Sequence, residues 1–344
     1  MTRKYINELQ EQENVNEVFR ASNKQLRPNR NGALYLQVDL SDKTGTVTAR
    51  LWNANENIYH LFENGDYLQV EGKAQVFQGA MQLIAKRFCR VKPEEVDEAE
   101  FIQTTGICVE KLLETMHSLL DPIQRPALRG LVKCYLDDQE FMDRFTFYPA
   151  GVKHHHAYRG GLLEHVVKMM ELAKLIGDSY EYLDTELLLL GTFLHDTGKT
   201  VELVCDPEFA YTDIGQLLGH IPLGISMLET KIRQYETETG EKFPDALAFQ
   251  LKHMIASHHG EYEYGSPKLP MTVEAQALHC IDLLDSKLAA FHHLLEEDLN
   301  SSSPWTTFQA SLQRKLFKGL PEQRNELKNE QQHEPQNEQA ADTK

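Results

Sequence analysis

The chain predicts a multidomain protein in which an all-β barrel is followed by an all-α domain. Three observations predict it. Through residues 14–92 apolar and polar residues alternate at the period of a half-buried strand. From residue 104 onward apolar residues recur at helical spacing instead. Between the two lies 92–100, an acidic stretch starting with Pro93 that reads as an interdomain linker. At 344 residues, about two domains with full cores are expected. The predicted limits are 1–92 for the barrel, 93–104 for the linker, 105–320 for the helical domain and 321–344 for a tail.

In the first domain, Leu34, Leu36, Val38 and Leu40 alternate with Tyr35, Gln37 and Asp39. A turn at Asp42–Gly45 precedes Val47, Ala49 and Leu51, and 53–62 has the character of a short helix. Gly65 and Asp66 lead into 67–77, where Leu68, Val70, Ala74 and Val76 face one way. Gln78 and Gly79 form a hairpin before 81–90. Five strands with a helix between the third and fourth is the order of an OB-fold barrel. The open face of such a barrel binds single strands through stacked aromatics and basic residues. Tyr35, Arg50, Trp52, Lys73, Phe77, Lys86 and Arg87 are the candidates for that face. The alternative puts Trp52 and Phe77 in the core and leaves the basic residues merely solvated.

In the second domain, Leu112, Leu113, Met116, Leu119 and Leu120 keep helical spacing, as do Leu128, Leu131, Val132 and Tyr135. After Gly160 and Gly161, the residues Leu162, Val166, Met169, Met170 and Ala173 form an apolar stripe with His165 on its edge. Further helices are predicted over 185–196, 217–235 (opening at Gly219 and His220), 246–257 (ending at His258, His259 and Gly260) and 271–299. Asp282 and Asp285 lie one turn apart in the last. Beyond Pro321 the chain is rich in Glu, Gln and Asn and nearly free of apolar residues, which predicts disorder.

The formal charge of −17 argues against a polyanionic partner until its distribution is considered. Residues 1–92 hold about 13 Lys and Arg against about 10 Asp and Glu, so the acidic excess lies downstream. A mildly basic module can still bind nucleic acid locally. The five cysteines are scattered without CxxC spacing, which suggests a reducing compartment. No signal-like apolar core opens the chain and no run approaches about twenty apolar residues, so a cytoplasmic protein is expected.

The chemistry concentrates at the end of the 185–196 helix. Leu187 to Leu190, Phe193 and Leu194 make it apolar on most sides, hence core. It ends in His195 and Asp196, with Gly198 predicted as a left-handed stop and Lys199 just beyond. Neighbours on a helix point about 100° apart, so His195 and Asp196 can reach one ion between them. Ionisable groups at the end of a core helix need a partner, and a metal is the partner expected. Mixed imidazole and carboxylate ligands suit Mn, Fe, Co or Zn better than Mg.

His165, His195, Asp196 and Asp282 form a His…His-Asp…Asp pattern that resembles the HD-domain metal phosphohydrolases, so an all-α HD domain is expected after the OB-fold barrel. With Leu163-Glu164-His165, His195-Asp196-Thr197-Gly198-Lys199, Gly219-His220-Ile221 and Ser257-His258-His259-Gly260, the chain is similar to the YhaM-type 3′–5′ exoribonucleases. Glu261–Pro267 and Glu274-Ala275 share the likeness. The resemblance implies one divalent ion on His165, His195, Asp196 and Asp282. It implies a second on His220, His258 and His259, with Asp196 bridging and a hydroxide between the ions as attacking group. Manganese is the metal expected, with Co, Fe or Zn as alternatives. Asp196 and Lys199 take the catalytic roles, Lys199 neutralising a phosphate oxygen. Asp285 is either an alternative ligand or a support for one. His156 and Arg159 are candidates to contact the scissile phosphate or the terminal ribose. His117, His253, His279, His292 and His293 read as surface or packing residues. The substrate implied is single-stranded RNA, with single-stranded DNA a further one, cut to nucleoside 5′-monophosphates by a homo-oligomer. Two other readings keep parts of this pattern: an HD-type nucleotide phosphohydrolase, and a nucleic-acid-binding regulator with a vestigial HD site.

Overall fold

The computed structural model describes residues 3–29, 31–77, 80–101, 107–151, 158–205, 209–296, 298, 303–310 and 312–320. Two separate apolar cores organise them, one inside a barrel and one among helices.

The barrel consists of β1 (Asn14–Pro28), β2 (Leu34–Asp42), β3 (Gly45–Trp52), β4 (Tyr67–Phe77) and β5 (Ala80–Val91), with α1 (Glu56–Tyr59) between β3 and β4. Its closed strand order is β1-β2-β3-β5-β4, and β1 also pairs with β4. All neighbours are antiparallel except β3 and β5. This is the OB-fold architecture that the strand order predicts. Leu36, Val38, Leu40, Val47, Ala49 and Leu51 are buried inside while their odd-and-even partners face out, as the alternation requires. On β5 the inward set moves from Leu83 and Ala85 to Phe88, a change of parity. The cause is a bulge: Glu71 pairs with Arg87 but Gly72 pairs with Ala85, leaving Lys86 without an opposite residue. Gly72 is required there, because a Cβ would stand 2.7 Å from the Ile84 carbonyl oxygen. The short helix is narrower than 53–62. The Asn55 side chain accepts from the Ile58 N–H at 3.0 Å and starts it, whereas Phe62 turns into the barrel core.

The acidic stretch after the barrel is held against it over 93–101. Phe101 is buried with its ring 4.8 Å from that of Tyr67, and Glu100 pairs with Lys43 at 2.8 Å and with Tyr5.

The helical domain comprises α2 (Val109–Leu120), α3 (Pro126–Leu136), α4 (Gln139–Phe147), α5 (Gly161–Ser179), α6 (Thr185–Leu194), α7 (Lys199–Glu202), a two-stranded ribbon of β6 (Leu203–Val204) and β7 (Ala210–Tyr211), α8 (Asp213–Leu218), α9 (His220–Thr239), α10 (Asp245–Ser257) and α11 (Val273–Glu296). Every residue of α6 from Leu187 to Leu194 is buried, because α2, α3, α5, α10 and α11 all pack on it. The Asp184 side chain caps its start by accepting from the Leu187 N–H at 3.0 Å. Among the described residues no helix is long and apolar enough to cross a membrane. The tail from 321, expected to be disordered, lies outside the described residues.

Gly198 corrects an expectation. Its backbone is right-handed, φ −61° and ψ −21°, so it is no left-handed stop. α6 ends at Leu194 with His195 as its C-cap, and 195–198 turn directly into α7. Glycine is needed for closeness rather than for handedness. A Cβ on Gly198 would lie 1.9 Å from the His220 carbonyl oxygen and 2.7 Å from the Gly224 nitrogen. The missing side chain lets the first turn of α9 rest on the α6–α7 turn.

Candidate metal centre

That close approach gathers side chains from five elements around Asp196. His165 comes from the first turns of α5, His195 and Asp196 from the end of α6, His220 from the first residue of α9, His258 and His259 from the end of α10, and Asp282 from α11. His165, His195 and Asp282 form one cluster whose ligand atoms all lie within 4.8 Å of one another, and His220, His258 and His259 form another. Asp196 stands between them. Its Oδ2 is 3.6 Å from His165 Nε2 and 3.3 Å from His195 Nε2. Its Oδ1 is 3.6 Å from His220 Nε2 and 3.8 Å from His258 Nε2. Asp282 Oδ1 lies 3.7 Å from His165 Nε2. All seven residues predicted as ligands are thus brought together.

Each of the five imidazoles is held by its far nitrogen, which fixes the tautomer. Nδ1–H donates to the carbonyl oxygens of Thr192 from His195 (2.7 Å), of Ile255 from His258 (2.8 Å) and of Tyr264 from His259 (2.8 Å). Carboxylates serve the other two: Asp285 faces His165 Nδ1 at 2.9 Å and Glu202 faces His220 Nδ1 at 3.3 Å. Since these acceptors can only accept, the Nε2 lone pairs all point inward. His220 Nε2 and His258 Nε2 are 3.5 Å apart, lone pair facing lone pair. His195 Nε2 and Asp196 Oδ1 are buried with no hydrogen-bond partner among the described residues. Converging lone pairs in a buried site need positive charge between them, and the nitrogen and oxygen donors here fit divalent transition metals. Asp285 therefore supports His165 and is itself paired with Lys168 at 2.7 Å.

The electrostatics of the protein's own groups divide the site into a charged pair around Asp196 and neutral histidines beyond it. Burial works to raise the Asp196 carboxyl, but Lys199, His195 and His220 outweigh it and hold it well below the carboxylate range. Burial works to lower Lys199 and His195, and in both Asp196 prevails and raises the pKa. Burial, joined by His195 and His259, pushes His258 well below the ordinary imidazole value, and burial with His220 lowers His259. Both shifts favour the neutral imidazole, the form that a metal can bind. Lys199 Nζ binds Asp196 Oδ2 at 2.6 Å, taking one lone pair of an oxygen that has two.

A cavity of about 560 Å³ opens on Asp196, Lys199, His258 and Asp282, within the range of small-ligand sites. Its wall adds Tyr211, Leu283 and Lys287, which no sequence pattern marks, and Tyr264 from the Glu261–Pro267 stretch. His279 also lines it; its Nδ1 faces the His258 carbonyl oxygen at 2.9 Å, so this packing histidine borders the centre. Arg159 is not brought there: its guanidinium lies over the Phe147 ring at 4.6 Å and 3.8 Å from Glu98. His156 lies outside the described residues.

On the barrel, Tyr35 and Trp52 are paired across β2 and β3 with ring centroids 5.1 Å apart. Trp52 and Phe77 are about half exposed, so neither belongs to the core. The Arg50 guanidinium stands 5.9 Å over the Phe77 ring, and Lys73 and Arg50 both register with Ile84 from opposite sides. Lys86 and Arg87 are exposed beside the bulge.

Residues 18–88 match the family described as OB-fold nucleic acid binding domain, and residues 162–287 match the HD domain family. The class is therefore a nucleic-acid-binding barrel joined to a metal-dependent phosphohydrolase domain. The chain is similar to the 3′–5′ exoribonuclease YhaM of Geobacillus sp. (strain WCH70), 35% identical over 269 residues that cover 78% of this chain and 80% of that one. The enzyme of the same name from Bacillus subtilis (strain 168) is 34% identical over 269 residues, covering 77% and 82%. That of Bacillus velezensis is 36% identical over 274 residues, with the same coverage. The chain belongs to the YhaM family of 3′–5′ exoribonucleases.

Proposed function

We propose that the protein hydrolyses single-stranded RNA from its 3′ end to nucleoside 5′-monophosphates, and single-stranded DNA as well, in a reaction that depends on two divalent cations. The observation that carries this reading is Asp196, a buried carboxylate presenting one oxygen to each histidine cluster. His165, His195, Asp196 and Asp282 would hold one cation, and Asp196, His220, His258 and His259 a second; when bound, the pair would supply Lewis acidity to the scissile phosphate and lower the pKa of water towards neutrality. Manganese is our expectation for this donor set.

The rest falls to the chain's own groups. Lys199, at the cavity wall, sets a fixed positive charge where negative charge develops on phosphate oxygens. The cavity takes a terminal nucleotide. Tyr35, Arg50, Trp52, Lys73, Phe77 and Lys86 line the strand on the barrel and raise its local concentration at the centre. A mononucleotide substrate has no use for that aromatic surface. Cytoplasmic residence, supported by five free thiols, and self-association belong to the same reading, as do the domain limits 1–92, 93–104, 105–320 and 321–344.

The test uses RNA labelled at either end, incubated with Mn²⁺ and the full-length protein. The 5′ label should shorten one nucleotide at a time and the 3′ label should appear at once as mononucleotide. Asp196→Ala should lower the rate at least about a thousandfold, as expected when a site's central charge is removed. Equal degradation by the variant removes this centre from the reaction.

A further inference from the structure

We infer that Glu202 is a positioning residue that governs loading of the second cation position, acting through His220; the inference rests on the two-cation reading above. In that cluster His258 and His259 are oriented by main-chain carbonyls of Ile255 and Tyr264. His220 alone depends on a side chain. As the first residue of α9 it also carries an amide N–H with no partner inside its own helix. Glu202 Oε1 meets both needs: it accepts the His220 amide at 3.0 Å and faces Nδ1–H at 3.3 Å. Two contacts on one oxygen lock main chain and ring together, leaving Nε2 aimed at Asp196 Oδ1 and His258 Nε2.

Glu202 is itself immobilised. It is 8% exposed, and its carbonyl oxygen accepts from the Thr212 N–H at 2.9 Å. The chain presses so close at Gly215 that a Cβ there would stand 2.2 Å from that same oxygen. A rigid carboxylate behind a ligating imidazole fixes its orientation and increases its donor strength. Asp285 does the same for His165, on the opposite side of Asp196. The two cation positions therefore have separate supports: Asp285 serves one and Glu202 the other.

The full-length protein, stripped with a chelator, is titrated with Co²⁺ and with Mn²⁺, and bound metal is counted by mass spectrometry and calorimetry. Wild type should take two ions per chain. Glu202→Gln keeps an acceptor oxygen but loses the charge, and should weaken one ion about tenfold while leaving the other within about threefold. Glu202→Ala should weaken that same ion about a hundredfold, and Asp285→Asn should weaken the other one instead. Urea unfolding of each metal-free variant separates loosened ligation from a damaged fold; if Glu202→Ala does not fold, Glu202→Gln decides. A second ion unaffected by Glu202→Gln, or both ions weakened alike, overturns the inference. Wild type binding fewer than two ions overturns it together with the two-cation reading. Two ions with the expected Glu202 dependence, but intact RNA, sink the exonuclease reading and leave this inference standing.

Discussion

Asp138 divides its oxygens much as Asp196 does, but for stability. One accepts from the Phe141 N–H at 3.1 Å and caps α4, while the other binds the buried Lys231 ammonium at 2.7 Å. Lys231, foremost through that hydrogen bond, holds the Asp138 carboxyl below its ordinary value. A depressed folded-state pKa stabilises above the unfolded value of about 4 and ceases to do so as pH falls through the folded value. The carboxylate is about a third exposed, so solvent screening reduces the pair's contribution. Asp138→Ala should cost about 1–3 kcal/mol at pH 7, from the lost cap and the lost counter-charge of a buried ammonium, and less at about pH 3, below the unfolded value. Urea titrations at both pH values check this, and a pH-independent loss refutes it. Gly198 is the other informative residue. Gly198→Ala forces α9 off the α6–α7 turn, which should cost about 3 kcal/mol or more and displace His220. Thermal unfolding and metal counting should therefore fall together.

At the scale of elements, the barrel and the helices use opposite strategies to present their polar groups. β2 and β3 alternate strictly, so Tyr35, Arg50 and Trp52 emerge on the outer face whatever the residues around them do. The bulge in β5 then projects Lys86 beside them. α6 is buried from Leu187 to Leu194; Glu186 at its start binds Arg125, and the groups that reach the centre, His195 and Asp196, stand where it ends. Stacking of bases on aromatics contributes about 1–3 kcal/mol per base. Trp52→Ala combined with Tyr35→Ala should therefore raise the KM for a long single strand about tenfold or more and leave turnover of a dinucleotide nearly unchanged. Equal losses on both substrates would remove this face from strand binding.

Across the whole molecule, charge is apportioned by domain. The barrel is mildly basic and the acidic excess lies downstream, yet the centre itself collects seven candidate ligands whose two carboxylates are outnumbered by five imidazoles. A net charge of −17 therefore coexists with a polyanion as substrate, because screening confines each field to about 8 Å at physiological salt. Binding of RNA should weaken as salt rises, with a shallow slope reflecting few phosphate contacts.

The order of the barrel strands, the apolar α6 and the candidate ligands were legible along the chain, since periodicity and a rare cluster of ionisable residues at the end of a core helix are local signals. Which ligand joins which was not. Asp282 and Asp285, one turn apart, look interchangeable, and only packing gives one to the cavity and the other to His165 Nδ1. No sequence pattern marks Glu202, and Arg159 is a candidate to contact the scissile phosphate or the terminal ribose. Burial reserves the first for His220, and the ring of Phe147 takes the second. Gly198 carried a correct residue with the wrong reason: its need arises from a chain segment more than twenty residues away. Sequence alone determined the residue types and the elements that carry them, because those follow from local pattern. Tertiary structure decided handedness at the turn, the pairing of ligands and the supports behind them, because these depend on distances between segments that no spacing along the chain encodes.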